Sequence, residues 1–284
     1  MIRLAAVIAF LAAPLFGHAQ ALDGALKKIN DTKTLTLAYR TDARPFSFND
    51  DKGQPAGYTV DLCKAIAASL EQQLKVQGIK VNWVAATAQN RFDLVSKKQA
   101  DMECGASTAT LSRMENVDFS SLIFVDGTSL LIRVESGIKS MNDLGGKSVG
   151  VISGTTNERA LRDALKSRLI NATVVPLKNR EEAIAALEAT KIDVFASDKV
   201  LILGMQAGFK DPSRYGVVPD YLSIEPLAIV LPRGDAALRL AVNRALSQIY
   251  RSPAIAEIFQ KWFGAFGKPS GLLEAMFLFG AVPE

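Results

Sequence analysis

Four stretches of this sequence bring together residue types able to hold a small charged molecule. In the first, Gly105-Ala106-Ser107-Thr108 leads through Ala109-Thr110-Leu111-Ser112 to Arg113. Small residues leave backbone N–H groups accessible, Thr108 adds a hydroxyl, and the Arg113 guanidinium is a planar fork that matches a carboxylate. A lone arginine is more often a surface ion pair; the Gly/Ser/Thr run before Arg113 favours anion binding. The second stretch is Ser153-Gly154-Thr155-Thr156. A helix opening there would present unpaired N–H groups and a positive dipole end to a carboxylate. Plain capping by Thr155 or Thr156 is equally compatible. No Lys follows and the glycine spacing is not that of a phosphate-binding loop. The third is Asp198, placed to face an ammonium group or to cap a helix. The fourth is the set of Arg40, Arg91 and Arg180, each following or opening an element.

The elements that must position these residues are legible from periodicity. Thr34 to Tyr39 alternates as a strand. A loop rich in Asp, Pro and Gly is expected from Arg40 to Gly57. Helical spacing covers Thr59 to Leu74, then strand, helix and strand follow at 80–85, 90–98 and 101–104, a β-α-β-α-β order. Phe124 to Val134 reads as one long β-prone run. The alternation then restarts, with strands at 147–152, 172–177 and 193–196 and helices at 156–167, 181–189 and 199–207. An apolar run at 227–231 precedes helices at 236–250 and 253–263. Two α/β units joined by long strands predict two lobes with a cleft between them and a hinge at the crossings. The division expected is 22–128 with 228–284 as lobe 1 and 129–227 as lobe 2. The tail from Gly264, with its apolar residues, is expected to pack on a lobe.

Composition narrows the function classes. Of 284 residues, 49% are apolar and 22% charged, which excludes disordered, collagenous and coiled-coil readings. Lys plus Arg is 33 against 29 Asp plus Glu, a net +4 without clustering, so a nucleic-acid surface is not expected. Residues 1–21 have a basic start, a short apolar stretch and Ala19-Gln20-Ala21, the pattern of a secretory signal peptide cleaved after Ala21. His18 leaves with it, and the mature chain then has no histidine for a triad or a zinc site. Cys63 and Cys104 are the only thiols. In an exported chain they are either one disulfide or two buried free thiols, the even count favouring the bridge.

Several of these residues also carry a resemblance. Pro45-Phe46-Ser47-Phe48, Gly57-Tyr58, Asp61-Leu62, the Gly105/Thr108/Arg113 run, Asp118-Phe119-Ser120, Ser153-Gly154-Thr155-Thr156 and Asp198 occur in order over about residues 30 to 265. Together they resemble the solute-binding proteins of polar amino-acid ABC transporters, family 3. Gln89-Asn90-Arg91, Glu103-Cys104-Gly105 and Ile123-Phe124-Val125 narrow this to the glutamate/aspartate-binding branch. The resemblance implies a two-lobed α/β fold of type II that closes on its ligand in the periplasm and docks on a membrane permease. It makes Thr108 and Arg113 an α-carboxylate clamp, helped by backbone N–H groups near Ala106 and Thr155 with Thr156, and pairs Asp198 with the α-ammonium. It assigns Arg40, Arg91 and Arg180 to a side-chain carboxylate. Ala88 and Ala106 stand where the branch has Ser, and Arg180 where its best-known members have His. Three guanidiniums repel one another, so a second anion or an acidic neighbour such as Asp42 is expected to share the site. The resemblance implies a monomer without enzymatic activity, metal or cofactor. The alternative is an exported enzyme on the same fold, a dehydratase acting on a prephenate-like acid, with Glu103, Glu158 or Asp198 as general acid. A sensory module, a third class, calls for a transmembrane or kinase segment that is not read in the sequence.

Overall fold

The computed structural model describes residues 22–283. The signal-peptide reading at 1–21 lies outside them. The first part of the chain runs α1 (Gly24–Thr32), β1 (Thr34–Arg40), β2 (Asp42–Ala43), β3 (Ser47–Asn49), β4 (Pro55–Ala56), α2 (Tyr58–Leu74), β5 (Lys80–Ala86), α3 (Arg91–Ser96), β6 (Met102–Thr108) and β7 (Val117–Asp126). It continues as β8 (Thr128–Arg133), β9 (Ser148–Ile152), α4 (Thr156–Ser167), β10 (Thr173–Leu177), α5 (Arg180–Glu188), β11 (Val194–Asp198), α6 (Lys199–Met205) and β12 (Tyr215–Val217). The return is β13 (Glu225–Pro232), followed by α7 (Ala236–Tyr250), α8 (Ala254–Phe263) and α9 (Gly271–Gly280).

Two five-stranded sheets organise these elements into two lobes. The first has the order β5-β1-β6-β13-β7. Its β1 pairs in parallel with β5 and β6, and β13 lies antiparallel between β6 and β7. The second has the order β10-β9-β11-β8-β12, with β9, β10 and β11 parallel, β8 antiparallel to β11, and β12 antiparallel to β8. The chain leaves the first sheet between β7 and β8 and returns to it between β12 and β13.

Each sheet is buried because apolar residues fall on the faces the helices cover. On α2, Leu62, Ile66 and Leu70 recur every four residues, and all three are fully buried. They meet Leu35, Leu37 and Met102 of the first sheet and Leu246 of α7 in one core. Phe46, Tyr58, Phe124 and Phe263 form an aromatic group in that core, with ring centroids 4.9–6.1 Å apart. The second sheet has a core on each side, one around Phe195 and Ile202, the other around Val149 and Leu161.

A disulfide joins Cys63 of α2 to Cys104 of β6, with 6.3 Å between the Cα atoms. The tail packs on the first lobe: Leu273 of α9 is buried, the Phe277 ring lies 5.3 Å from that of Tyr250, and the Ser247 hydroxyl donates to the Val282 carbonyl.

Three expectations change. The 124–134 run is two strands in different sheets, broken at Gly127, because each half pairs with its own partner, β7 with β13 and β8 with β11. The 40–57 loop contains β2, β3 and β4, a small antiparallel sheet. The Gly105–Thr108 run does not follow β6 but is its second half, since Ser107 and Thr108 pair with Ala228 and Leu227 of β13.

Candidate functional site

The carboxyl ends of the parallel strands in both sheets meet at the boundary between the lobes, the position where α/β sheets gather ligands. From the first lobe, Arg40 ends β1, Arg91 opens α3 after β5, Thr108 ends β6, and Arg113 sits in the 3₁₀ turn that follows. From the second, Thr155 and Thr156 follow β9, Arg180 opens α5 after β10, and Asp198 ends β11.

At one end of this boundary the guanidiniums gather. Arg40 Nη2 donates to Asp42 Oδ1 at 2.5 Å, and Arg180 Nη1 reaches Asp42 Oδ2 at 3.3 Å from the other lobe. The Asp42 side chain is 8% exposed; burial pushes its carboxyl up, but Arg180 and Arg40 together bring it below the ordinary value. Arg91 donates to the Ala88 carbonyl at 2.7 Å. Burial, then Arg40 and Arg113, lower its pKa. The Nε atoms of Arg40, Arg91 and Arg180 are all buried without a hydrogen-bond partner. Glu103 lies among them, wholly buried. Burial raises its carboxyl against Arg91 and the Ser107 hydroxyl, which donates to Oε2 at 2.8 Å. A Cβ at Gly105 would stand 2.0 Å from the other Glu103 oxygen, so only glycine lets β6 pass this carboxylate.

Arg113 completes the cationic side. It donates to the Thr108 carbonyl at 2.8 Å, and its guanidinium lies 4.7 Å from the Phe92 ring centre, with Arg91 also over that ring at 4.6 Å. The same boundary holds Asp198, 5% exposed, which accepts from Asn157 Nδ2 at 3.2 Å and whose charge interacts with Arg91, Arg113 and Arg180. Burial, then Glu225, raise its carboxyl to about 6. Its side chain makes no capping bond to α6, so the capping alternative does not hold. Asp126 behind it is also raised, by burial and by Asp198.

The structure therefore brings together Arg40, Arg91, Arg113, Arg180, Thr108, Thr156 and Asp198. It does not bring in two side chains. Thr155 caps α4, accepting from the Glu158 N–H at 3.2 Å and donating to the Ile152 carbonyl at 2.7 Å. Ala106 offers only its backbone, within β6.

Glu225, the first residue of β13, was not singled out by the sequence. It is 1% exposed, and Thr108 and Thr156 both donate to its Oε2 at 2.6 Å. Ser223 and Thr128 donate to Oε1 at 2.5 and 3.2 Å. The available cue was an acidic residue heading the apolar run 227–231.

A cluster of cations facing a buried carboxylate, lined with hydroxyls and built from two lobes, suits a zwitterion. The comparisons with known proteins agree with that architecture. Residues 35–265 match the bacterial extracellular solute-binding proteins, family 3. The chain belongs to that family. It is 34% identical over 273 residues to an L-glutamate/L-aspartate-binding protein of Pseudomonas aeruginosa, covering 96% of this chain and 90% of the relative. It is 30% identical over 253 residues to the glutamate/aspartate import solute-binding protein of Escherichia coli K12, covering 87% and 84%. Among solved structures, an ancestral arginine-binding protein bound to glutamine superposes with a TM-score of 0.73 at 27% identity, covering 82% of this chain and 98% of that one. An ancestral amino-acid-binding protein described as a precursor of cyclohexadienyl dehydratase gives 0.74 at 28%, covering 84% and 100%.

Proposed function

We propose that this solute-binding protein takes an acidic amino acid, glutamate or aspartate, into the cleft between its lobes and delivers it to the membrane permease of an ABC importer. It acts as a periplasmic monomer, exported by a leader cleaved after Ala21. Its lobes follow in outline the sequence division of 22–128 with 228–284 against 129–227, with the boundaries drawn at the crossings, because β8 from Thr128 lies in the second sheet and β13 from Glu225 in the first. The observation that carries the reading is the set of three buried guanidiniums, each with an unpartnered Nε, in a cleft that also holds the buried Asp198 carboxylate. Unmatched donors of this kind are costly unless an anion meets them. In this reading Arg113, with the Thr108 and Thr156 hydroxyls and backbone N–H groups near Ala106 and Thr155, holds the α-carboxylate. Asp198 holds the ammonium, and the arginine cluster holds the side chain. The test is calorimetric titration of refolded, ligand-free protein with a panel of amino acids; glutamate and aspartate should bind, and binding of neutral amino acids alone would sink the proposal.

A second reading, dehydration of a prephenate-like acid, has its own support: burial raises both Glu103 and Asp198, as a general acid requires, and one superposable protein is described as the precursor of such an enzyme. Glu158 does not suit the role. The Gly154 N–H and Arg162 hold its carboxyl below the ordinary value. A dehydratase assay on the purified protein separates the two readings.

A further inference from the structure

Asp42 divides its two oxygens between guanidiniums from opposite lobes, Arg40 at 2.5 Å and Arg180 at 3.3 Å, and all three side chains are at most 8% exposed. Arg180 also donates to the Asp42 carbonyl at 3.5 Å. Two of the three positive charges at this end of the cleft therefore share one carboxylate that belongs to the protein. Arg91 differs. Among the described residues it makes no ion pair; its Nη1 meets the neutral Ala88 carbonyl and its face lies over Phe92. Glu103, the acidic group next to it, directs Oε2 to Ser107 and is held towards its neutral form by burial.

We propose that Asp42 is a built-in counter-anion that sets how much negative charge the far end of the ligand can carry. Resting on the acidic-amino-acid reading, it assigns the ligand's side-chain group to Arg91 and limits that group to a single charge. A doubly charged group would meet the Asp42 carboxylate across the same guanidiniums. Asp42 thus acts as a specificity-determining residue by occupying part of the site's positive field, and it ties the lobes together while doing so.

The experiment compares L-glutamate with O-phospho-L-serine, similar in length but carrying a doubly charged side chain, by calorimetric titration of wild type, Asp42→Asn and Arg180→Gln. In Asp42→Asn the affinity ratio of phosphoserine to glutamate should rise by about tenfold or more, since one negative charge has left the cluster. In Arg180→Gln, which removes a cation and leaves Asp42, the ratio should fall. A ratio unchanged in Asp42→Asn, or moved towards glutamate, overturns the role of Asp42 while leaving glutamate binding in place. Wild type that binds neither compound overturns the acidic reading itself. Should Asp42→Asn not fold, the Arg180→Gln ratio decides alone, and its failure to fall counts against the proposal.

Discussion

Thr108 and Thr156 stand on opposite sides of the cleft with their Oγ1 atoms 3.2 Å apart, and both donate to the same oxygen of Glu225. One lobe reaches the other through a carboxylate at the start of β13, where the chain re-enters the first sheet. Glu225→Gln replaces one accepting oxygen by an amide nitrogen facing hydroxyls, so some of these four hydrogen bonds are lost. Leaving buried hydroxyls unmatched should destabilise the ligand-free protein by about 1–3 kcal/mol. Chemical denaturation checks the loss, and X-ray scattering should show a larger radius of gyration as the lobes separate. An unaltered midpoint and radius would mean that the carboxylate does not hold them.

Arg113→Ala should remove binding of every amino acid with a free α-carboxylate. A charge-assisted contact of this kind contributes about 2–5 kcal/mol, or roughly 30-fold to over 1,000-fold in affinity. Titration of the folded variant is the measurement, and wild-type affinity would exclude Arg113 from the site.

The cationic end makes its own demand. Glutamate should bind better than glutamine by at least about 2 kcal/mol, roughly 30-fold, because a neutral amide leaves the guanidiniums uncompensated. Replacing Arg40 with Asp should abolish this preference, and Arg180→His should weaken it less. Equal affinity for the two ligands would remove the acidic specificity and leave general amino-acid binding at Arg113 and Asp198.

Asp198 predicts a pH dependence. Its folded value of about 6 lies above the roughly 3.9 of an unfolded Asp. Its contribution to the stability of the ligand-free protein is thus fully present below about pH 4 and is lost as pH rises through about 6. An α-ammonium beside it favours the ionised form, so ligand affinity should increase over the same interval. Thermal melts and titrations between about pH 4 and 7, compared with Asp198→Asn, test this group. A variant with the same pH profile as wild type would contradict its role.

Reduction of Cys63–Cys104 opens a cross-link over a separation of 41 residues. The Cys63→Ala/Cys104→Ala protein should be less stable by roughly 3–4 kcal/mol. Thiol counting on denatured, unreduced mature protein should find none, and two free thiols would contradict the bridge.

Much of this architecture was legible because long elements bury a periodic face. The 156–167 and 236–250 helices appear with the bounds their periodicity gives. Legibility failed where pairing across the fold decides. Gly105 to Thr108 has the composition of a loop and is a strand because β13 pairs with it. The arginines were legible from their places at element ends. Asp42 was legible as their acidic neighbour from the repulsion of three guanidiniums, and it pairs with Arg40 and Arg180. The Glu225 hub was not, because it depends on two lobes meeting and no local spacing encodes that meeting.

The two crossings between the lobes are unequal. One is the single residue Gly127, between Asp126 and Thr128; the other is the seven-residue segment 218–224. They touch, for a Cβ on Gly127 would lie 2.4 Å from the Tyr221 ring and 2.6 Å from the Ser223 carbonyl. The short crossing acts as an axle, and the longer one is a strap laid over it and hydrogen-bonded to β8 through Val218 and Leu222. With so short an axle the lobes can swing but not slide apart. A small rotation there is magnified along the lever arm of each lobe, so the rim of the cleft travels furthest while the hinge side barely moves.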